Sequence, residues 1–491
     1  MRHSILILAL VGGNVLAHGT VQAQDAVRLD EALGIQETLR QIVAEVEPAI
    51  ACILVSRSDI YARLGQGPSP DVASGILGGF DVGLTDTHLR PFDLAYPRHV
   101  PEAFGSGVVI DAAGLILTPY HVVRGATKVY VRLPGNKGSY ADIHAADPRS
   151  DLAVLRLRDR LPVKALPLGD GDKARKGQLV LSIANPYTAG FRPGSPTASW
   201  GIISNIRHRG PDLPKEEDRR QPLHRYGTLW QLDTRLNVTC SGGAVINLQG
   251  ELIGLTSNLA ALLGTETSGG YAIPLDARYR PMVEVLKQGK EVEHGFLGVE
   301  LARDAVGGPV VIQGVLHNAP AFQAGLRRGD VVLAINDIPL RDQEDLFLTV
   351  GALLAGSEVV LKVRSFHDNQ VRTLNPARLV KFHVPGPIIA SNRPAAVRGL
   401  RVDYASIASQ GTRPLWGGPT GIPNGVCVRE VEPDSPAEAA LLKPFAVITA
   451  VNGRTVTTPE AFYREARSIQ GPLALTLQDS PHDTPRIVKI N

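Results

Sequence analysis

Cysteine is nearly absent: Cys52, Cys240 and Cys427 are the only three in 491 residues. They fall in separate regions of the chain, which argues against the even-numbered disulfide framework of a small stapled domain. Cys52 sits inside the apolar run "AIACILVSR" and reads as a small core residue. Charge of one sign is also lacking. A formal net charge of +3 with no long basic run argues against nucleic acid as a partner. The histidines show no paired ligand spacing beside acidic residues or cysteines, so no metal and no other cofactor is expected. Beyond the N-terminus no stretch reaches the ~18 consecutive apolar residues of a membrane span. Aromatics make up only 5%, whereas glycine (50) and proline (36) are plentiful, a balance that predicts many turns between short strands. The length predicts about three domains at roughly 150 residues each.

The first residues read as an export signal. Arg2 and His3 precede the apolar run 5–11, and Val21 and Ala23 stand three and one residues before a cut at Gln24. Gly12, Gly13 and Asn14 interrupt the run, so residues 1–23 are expected to be cleaved, leaving a soluble periplasmic or otherwise exported protein. Leu29, Leu33, Leu39, Val43 and Val46 predict an amphipathic helix. Residues 58–102 read as a long loop and the charged segment 207–225 as a solvated one. Short apolar runs separated by turns fill the chain between Phe104 and Pro274, which predicts a barrel or sandwich. The remainder repeats. "APAFQAGLRRGDVVLAINDIPL" (319–340) aligns without gaps to "SPAEAALLKPFAVITAVNGRTV" (435–456), giving two related modules joined by the Pro-rich stretch 383–396.

Three polar residues stand in apolar surroundings: His121 after "LILTPY", Asp151 before "LAVLRL", and Ser241 in "TCSGGAVI". Taken singly, each has a plain reading as a structural histidine, a turn aspartate and a hairpin serine. Together they are the hydroxyl, imidazole and carboxylate that nucleophilic acyl transfer requires. Their order, His then Asp then Ser, is that of chymotrypsin-like double barrels, and Ser241 lacks the G-x-S-x-G elbow of α/β-hydrolases.

In these segments the chain resembles the HtrA/Deg family of chymotrypsin-like serine proteases. "GSGVVIDAAGLILTPYHVV" (105–123), "DPRSDLAVLRL" (147–157) and "QLDTRLNVTCSGGAVINLQGELIGLTS" (231–257) are similar to the family's segments around its catalytic His, Asp and Ser. "FLGV" (296–299) and "GLRRGDVVLAIN" (325–336) resemble PDZ segments. The resemblance implies a mainly β chain: a protease double barrel over 24–290, a first α+β PDZ domain over 291–384, a linker over 385–398 and a second PDZ domain over 399–491.

It further implies that Ser241 attacks a peptide bond, His121 acts as base then acid, and Asp151 orients the imidazole. The backbone N–H groups of Ser241 and Thr239 would form the oxyanion hole. Leu236 would border the pocket for a small aliphatic side chain, and Leu255, Thr256, Ser257 and Asn258 would pair with the substrate backbone. Phe296, Leu297, Gly298 and Val299 would capture a peptide C-terminus. Substrates would be unfolded or misfolded proteins. Assembly would be homo-oligomeric, as trimers or multiples of them, with Phe80, Phe92, Tyr96 and Phe104 available at the contact.

Two departures leave alternatives standing. The family's Gly-Asn-Ser-Gly-Gly is here Thr239-Cys240-Ser241-Gly242-Gly243. A β-branched residue resists the φ that turns its peptide toward the oxyanion hole, and losing one such donor costs ~10²–10³-fold in rate. A catalytically weak or silent chaperone or PDZ scaffold is therefore the rival reading. Cys240 is a second nucleophile in principle, but it would point to the other side of the turn. In the second module Leu400-Arg401-Val402 stands at the matching place of the carboxylate loop, Phe445-Ala446 replaces Gly-Asp, and Arg401 is left as a possible carboxylate partner.

Overall fold

The computed structural model describes residues 29–58, 94–95, 101–135, 137–186, 196–210, 222–235, 240–257, 270–301, 308–411, 421–478 and 484–490. The export signal, most of the loop 58–102 with Phe80, Phe92 and Tyr96, the segment Leu236–Thr239 and Asn258 lie outside them.

Six strands form the first barrel: β1 (Ile50–Ser56), β2 (Ala103–Asp111), β3 (Leu115–Pro119), β4 (Lys128–Leu133), β5 (Lys137–Asp147) and β6 (Leu152–Leu157). They run in the order β5-β4-β1-β2-β3-β6, and β6 closes back on β5. All of β1 is buried because both its faces are covered. Ile53 and Val55 join the barrel core, while Cys52 and Leu54 pack outward under Leu94, Phe104, Tyr130 and Tyr140. Burial pushes the Cys52 thiol up to about 12, as befits an inert core residue. No disulfide joins the three cysteines.

The second barrel is β7 (Leu179–Ala184), β8 (Thr197–His208), β9 (Leu229–Leu232), β10 (Ala244–Ile246), β11 (Leu252–Ser257) and β12 (Gly270–Pro274). It is closed in the order β10-β11-β12-β9-β8-β7 around Val180, Ile203, Trp230, Val245 and Ile253. Asn185 ties the barrels together: its Nδ2 donates to Ile50 O at 3.0 Å and its backbone N–H to Ser106 Oγ at 2.9 Å. The architecture is the mainly β double barrel expected from the sequence.

The predicted amphipathic helix spans 29–46, but only its second half packs. Ile42 and Val46 are buried, whereas Leu29 and Leu33 are 60% and 48% exposed. The Pro-rich stretch read as a linker is likewise more than a tether. Ile389 and Ala390 pair antiparallel with Ala146 and Ala145 of β5, adding a seventh strand to the first barrel's sheet. Ser391 completes that contact, its N–H donating to His144 O at 2.8 Å and its Oγ meeting His144 Nδ1 at 2.7 Å.

The two repeats fold alike. Val299–Leu301, Val310–Val315, Val331–Ile335, Leu361–Arg364 and Val371–Thr373 form one sheet in that order. Leu400–Tyr404, Val426–Val431, Val447–Val451, Leu473–Gln478 and Arg486–Ile490 form the other. A helix lies against each, Gln343–Gly351 and Pro459–Arg467, and each starts on a side-chain cap, Asp342 on the Asp345 N–H and Thr458 on the Ala461 N–H.

Backbone hydrogen bonds correct the sequence alignment of the two loops. Ala321 N–H donates to Leu297 O and Leu316 N–H to Gly298 O; in the second module Ala437 N–H donates to Arg398 O and Glu432 N–H to Gly399 O. Gly298 and Gly399 share a left-handed φ (80° and 86°), and a Cβ on either would collide with Ala319 or Ser435, themselves equivalent positions in the repeat. Arg398-Gly399-Leu400, not Leu400-Arg401-Val402, is therefore the counterpart of Leu297-Gly298-Val299. The gap-free repeat starts downstream of this loop, and apolar side chains two residues apart offered a false register.

Candidate active site

His121 opens onto the cleft between the barrels from the short helix Tyr120–Val123, which follows β3 directly. Asp151 lies in the turn between β5 and β6, at a φ of 56°. Three hydrogen bonds clamp the two together. Tyr120 N–H donates to Asp151 O at 2.9 Å, His121 N–H donates to Asp151 Oδ1 at 2.9 Å, and His121 Nδ1 meets Asp151 Oδ2 at 2.7 Å. The other ring nitrogen, Nε2, lies 3.1 Å from Ser241 Oγ. Both the histidine and aspartate side chains are about nine-tenths buried, at 10% and 8% exposure. The three residues singled out by the sequence thus come from 120 residues of chain into one hydrogen-bonded row.

The Ser241 turn is held from both barrels. Ser106 N–H of β2 donates to Ser241 O at 2.7 Å. Gly242 N–H donates to Thr256 O and Thr256 N–H to Gly243 O, both at 2.8 Å. Gly242 has a φ of 90°, and a Cβ there would strike the Ser106 carbonyl, so glycine is required on two counts. The Cys240 carbonyl accepts from Thr256 Oγ1 and from Gly243 N–H, and its side chain is buried.

These bonds correct part of the substrate-strand expectation. Thr256 has both main-chain groups engaged by Gly242 and Gly243. Leu255 is fully buried between Ala244 and Ile273. Neither retains a free edge for a substrate, because β11 is an interior strand at this level. Ser257 pairs with Tyr271 of β12. Thr239, Leu236 and Asn258 are outside the described residues.

Sequence reasoning missed His224. It falls within the segment expected to be a solvated loop, yet residues 223–226 form a 3-10 helix whose Leu223 and His224 are buried. Burial lowers the His224 pKa, with the nearby Asp151 pulling it up and His121 pushing it down. Its Nε2 is buried without a hydrogen-bond partner. Only the alternation of charged residues with "PLHRY" hinted that the end of this segment turns inward.

Phe296, Leu297, Gly298 and Val299 line one pocket together with Leu346, Phe347 and Val350 of the helix Gln343–Gly351. The second module's loop is closed on itself. Val397 and Leu400 exchange N–H···O bonds at 2.9 Å each across Arg398 (φ 54°) and Gly399, a two-residue hairpin turn that consumes the Leu400 N–H. The Val402 N–H donates to Tyr463 Oη at 3.1 Å. Arg401 pairs with Glu432 at 2.9 Å and Glu430 at 3.5 Å, so it is not left for a ligand carboxylate.

Comparison with known proteins matches two parts of the chain. A family described as trypsin-like peptidase domain matches residues 105–255, and one described as PDZ domain matches residues 295–376. A DegP-like periplasmic serine endoprotease of Pseudomonas fulva is 32% identical over 390 residues, covering 75% of this chain and 74% of the relative. A DegP-like periplasmic serine endoprotease of Pseudomonas putida is 30% identical over 452 residues, covering 87% of each. The periplasmic serine endoprotease DegP of Salmonella typhimurium is 30% identical over 388 residues, covering 77% and 74%. Among solved structures, the HtrA-type protease AlgW with decapeptide is 26% identical, with 70% of this chain and 98% of that one covered and a TM-score of 0.47.

Proposed function

The chain belongs to the DegP-like, HtrA-type serine endoproteases, and from that premise we propose that His121, Asp151 and Ser241 are its catalytic residues and unfolded or misfolded proteins its substrates. The observation that carries the assignment is the unbroken row Asp151 Oδ2–His121 Nδ1 (2.7 Å) and His121 Nε2–Ser241 Oγ (3.1 Å). Asp151 accepts a hydrogen bond from Nδ1–H, which keeps the proton on Nδ1 and leaves Nε2 as the basic nitrogen. Nε2 takes the Ser241 proton as Oγ attacks the peptide carbonyl. The imidazolium then protonates the departing amine, and water repeats the cycle on the acyl-enzyme. The backbone N–H groups of Ser241 and Thr239 receive the oxyanion, and Leu236 borders the pocket for the side chain before the cut bond. Cys240 takes no part, since the row terminates on Ser241 Oγ.

In this reading the first PDZ domain holds substrate or effector C-termini on Phe296–Val299 by strand addition. The second module, whose loop donors are internally bonded, serves assembly. The active species is a homo-oligomer, a trimer or a multiple of one. The protein works in the periplasm after loss of residues 1–23. Among the described residues no helix is long and apolar enough to cross a membrane, and the relatives named above are periplasmic.

The test is casein hydrolysis by the purified protein beside its Ser241→Ala variant, with fluorophosphonate labelling in parallel. Hydrolysis and labelling that both vanish in the variant support the assignment. Equal hydrolysis in the two proteins would sink it.

A further inference from the structure

Among the described residues Arg149 is a buried cation without an ion pair. Arg149 is 3% exposed, and its Nε and Nη1 are buried without a hydrogen-bond partner. An unpaired, desolvated guanidinium is costly, and a fold retains one only where something compensates it. Burial lowers its pKa to about 10, with Tyr226 and Asp147 opposing. Partial compensation comes from the Phe382 ring, whose centroid lies 4.2 Å from Cζ.

Neighbouring carboxylates are already committed. Asp147 receives His294 Nε2 at 2.8 Å and the backbone N–H groups of Arg149 and Ser150. Asp345 pairs with Arg207 at 2.7 Å and Arg341 at 3.0 Å, and Glu344 pairs with Arg209. Among the described residues no ion pair reaches Arg149.

The location of this cation is informative. Arg149 belongs to the first barrel, in the turn after β5, yet its side chain crosses into the first PDZ module. It lines the same pocket, of about 60 Å³, as Leu297, Gly298 and Val299. The protein therefore brings to one cavity a glycine loop of backbone donors, apolar walls from Leu346 and Val350, and a cation that forms no ion pair among the described residues. We propose that Arg149 of the protease barrel is the cationic wall of the first PDZ pocket and forms a charge-assisted hydrogen bond with the C-terminal carboxylate of the bound peptide. The ligand is thus a peptide ending in a free carboxylate on an apolar residue, and the pocket is complete only with the barrel in place. This rests on the reading of Phe296–Val299 as a carboxylate loop.

The test uses the full chain carrying Ser241→Ala to prevent cleavage, and a fluorescein-labelled peptide ending in Ala-Val-Leu, with either a free or an amidated C-terminus. Affinity is read by fluorescence anisotropy. The Arg149-intact protein should prefer the free acid. Arg149→Gln should weaken the free acid about 10- to 100-fold, the range of a hydrogen bond to a charged group, and leave the amide nearly unchanged. Arg149→Lys should restore part of the preference. Gly351→Ala is an independent variant, because its Cβ would lie 2.6 Å from Arg149 Nη2 and displace the guanidinium without removing it; it too should lower the acid-to-amide ratio. If the intact protein prefers the acid and both Arg149→Gln and Gly351→Ala keep that preference, the role of Arg149 is refuted while the carboxylate loop stands. If the intact protein does not distinguish acid from amide, the loop reading fails and this inference falls with it.

Discussion

Asp151→Asn isolates how the site works, because the backbone dictates how the new amide must sit. Asp151 Oδ1 accepts the His121 backbone N–H at 2.9 Å, and Oδ2 faces Nδ1 at 2.7 Å. An asparagine of the same shape has one oxygen and one NH2. The backbone N–H can only donate, so it claims the amide oxygen, and the NH2 is left facing Nδ1. Two N–H groups cannot face each other, so the ring shifts its proton to Nε2. That proton then points at Ser241 Oγ, and the base has no lone pair where the reaction needs one. The fold is unaffected, since Tyr120 N–H still donates to the residue 151 carbonyl. The expected loss is ~10⁴-fold in kcat, equivalent to about 5 kcal/mol of transition-state stabilisation. Initial rates of casein hydrolysis measure it, with a thermal melt to show that the variant folds. A folded Asp151→Asn protein retaining more than a tenth of the activity would refute the tautomer argument.

Three further outcomes follow from the same geometry. Gly242→Ala forces a Cβ onto the Ser106 carbonyl at a φ of 90°, so fluorophosphonate labelling of Ser241 should be lost while circular dichroism keeps its β signature. Asp147→Ala removes the partner of His294, which is fully buried 2.8 Å away; leaving that buried donor unsatisfied costs about 1 to 3 kcal/mol, read as a lower Tm or denaturant midpoint, and an unchanged midpoint would contradict the pairing. His383 is held down to about 4 by burial and by the Arg429 charge. The unfolded chain binds that proton near 6.5 and the folded chain does not, so folding stability is fully present above about 6.5 and is lost as pH falls toward about 4. His383→Gln should flatten the fall in Tm over that window, and parallel curves would discount the histidine.

Much of the site was legible because its signals are local. "PYHVV", "DPRSD" and "CSGGAV" each set a strand end, a turn and one reactive side chain, and the turn of the third calls for a glycine at 242, with its φ of 90°. The repeat was equally plain, since equal spacing of small and apolar residues needs no third dimension. Other assignments failed where identity and environment separate. "PLHRY" looks solvated beside its charged neighbours, yet Leu223 and His224 are buried. Leu255 and Thr256 lie near the nucleophile in sequence but have their main chain engaged inside the barrel.

The sequence alone thus pointed to a β-rich barrel or sandwich and to the paired modules, because hydrophobic period, turn glycines and repeat spacing act over a few residues; the double barrel and the roles of His121, Asp151 and Ser241 were implied by the resemblance of their motifs to a known family. Tertiary structure decided whether each polar group has a partner. Asp147 meets His294 across 147 residues of chain. Ile389 finds β5 from beyond the first module. Arg149, a turn arginine by every local rule, becomes a buried cation in another domain's pocket. Desolvation and pairing depend on what the rest of the chain brings alongside, and no local pattern encodes that.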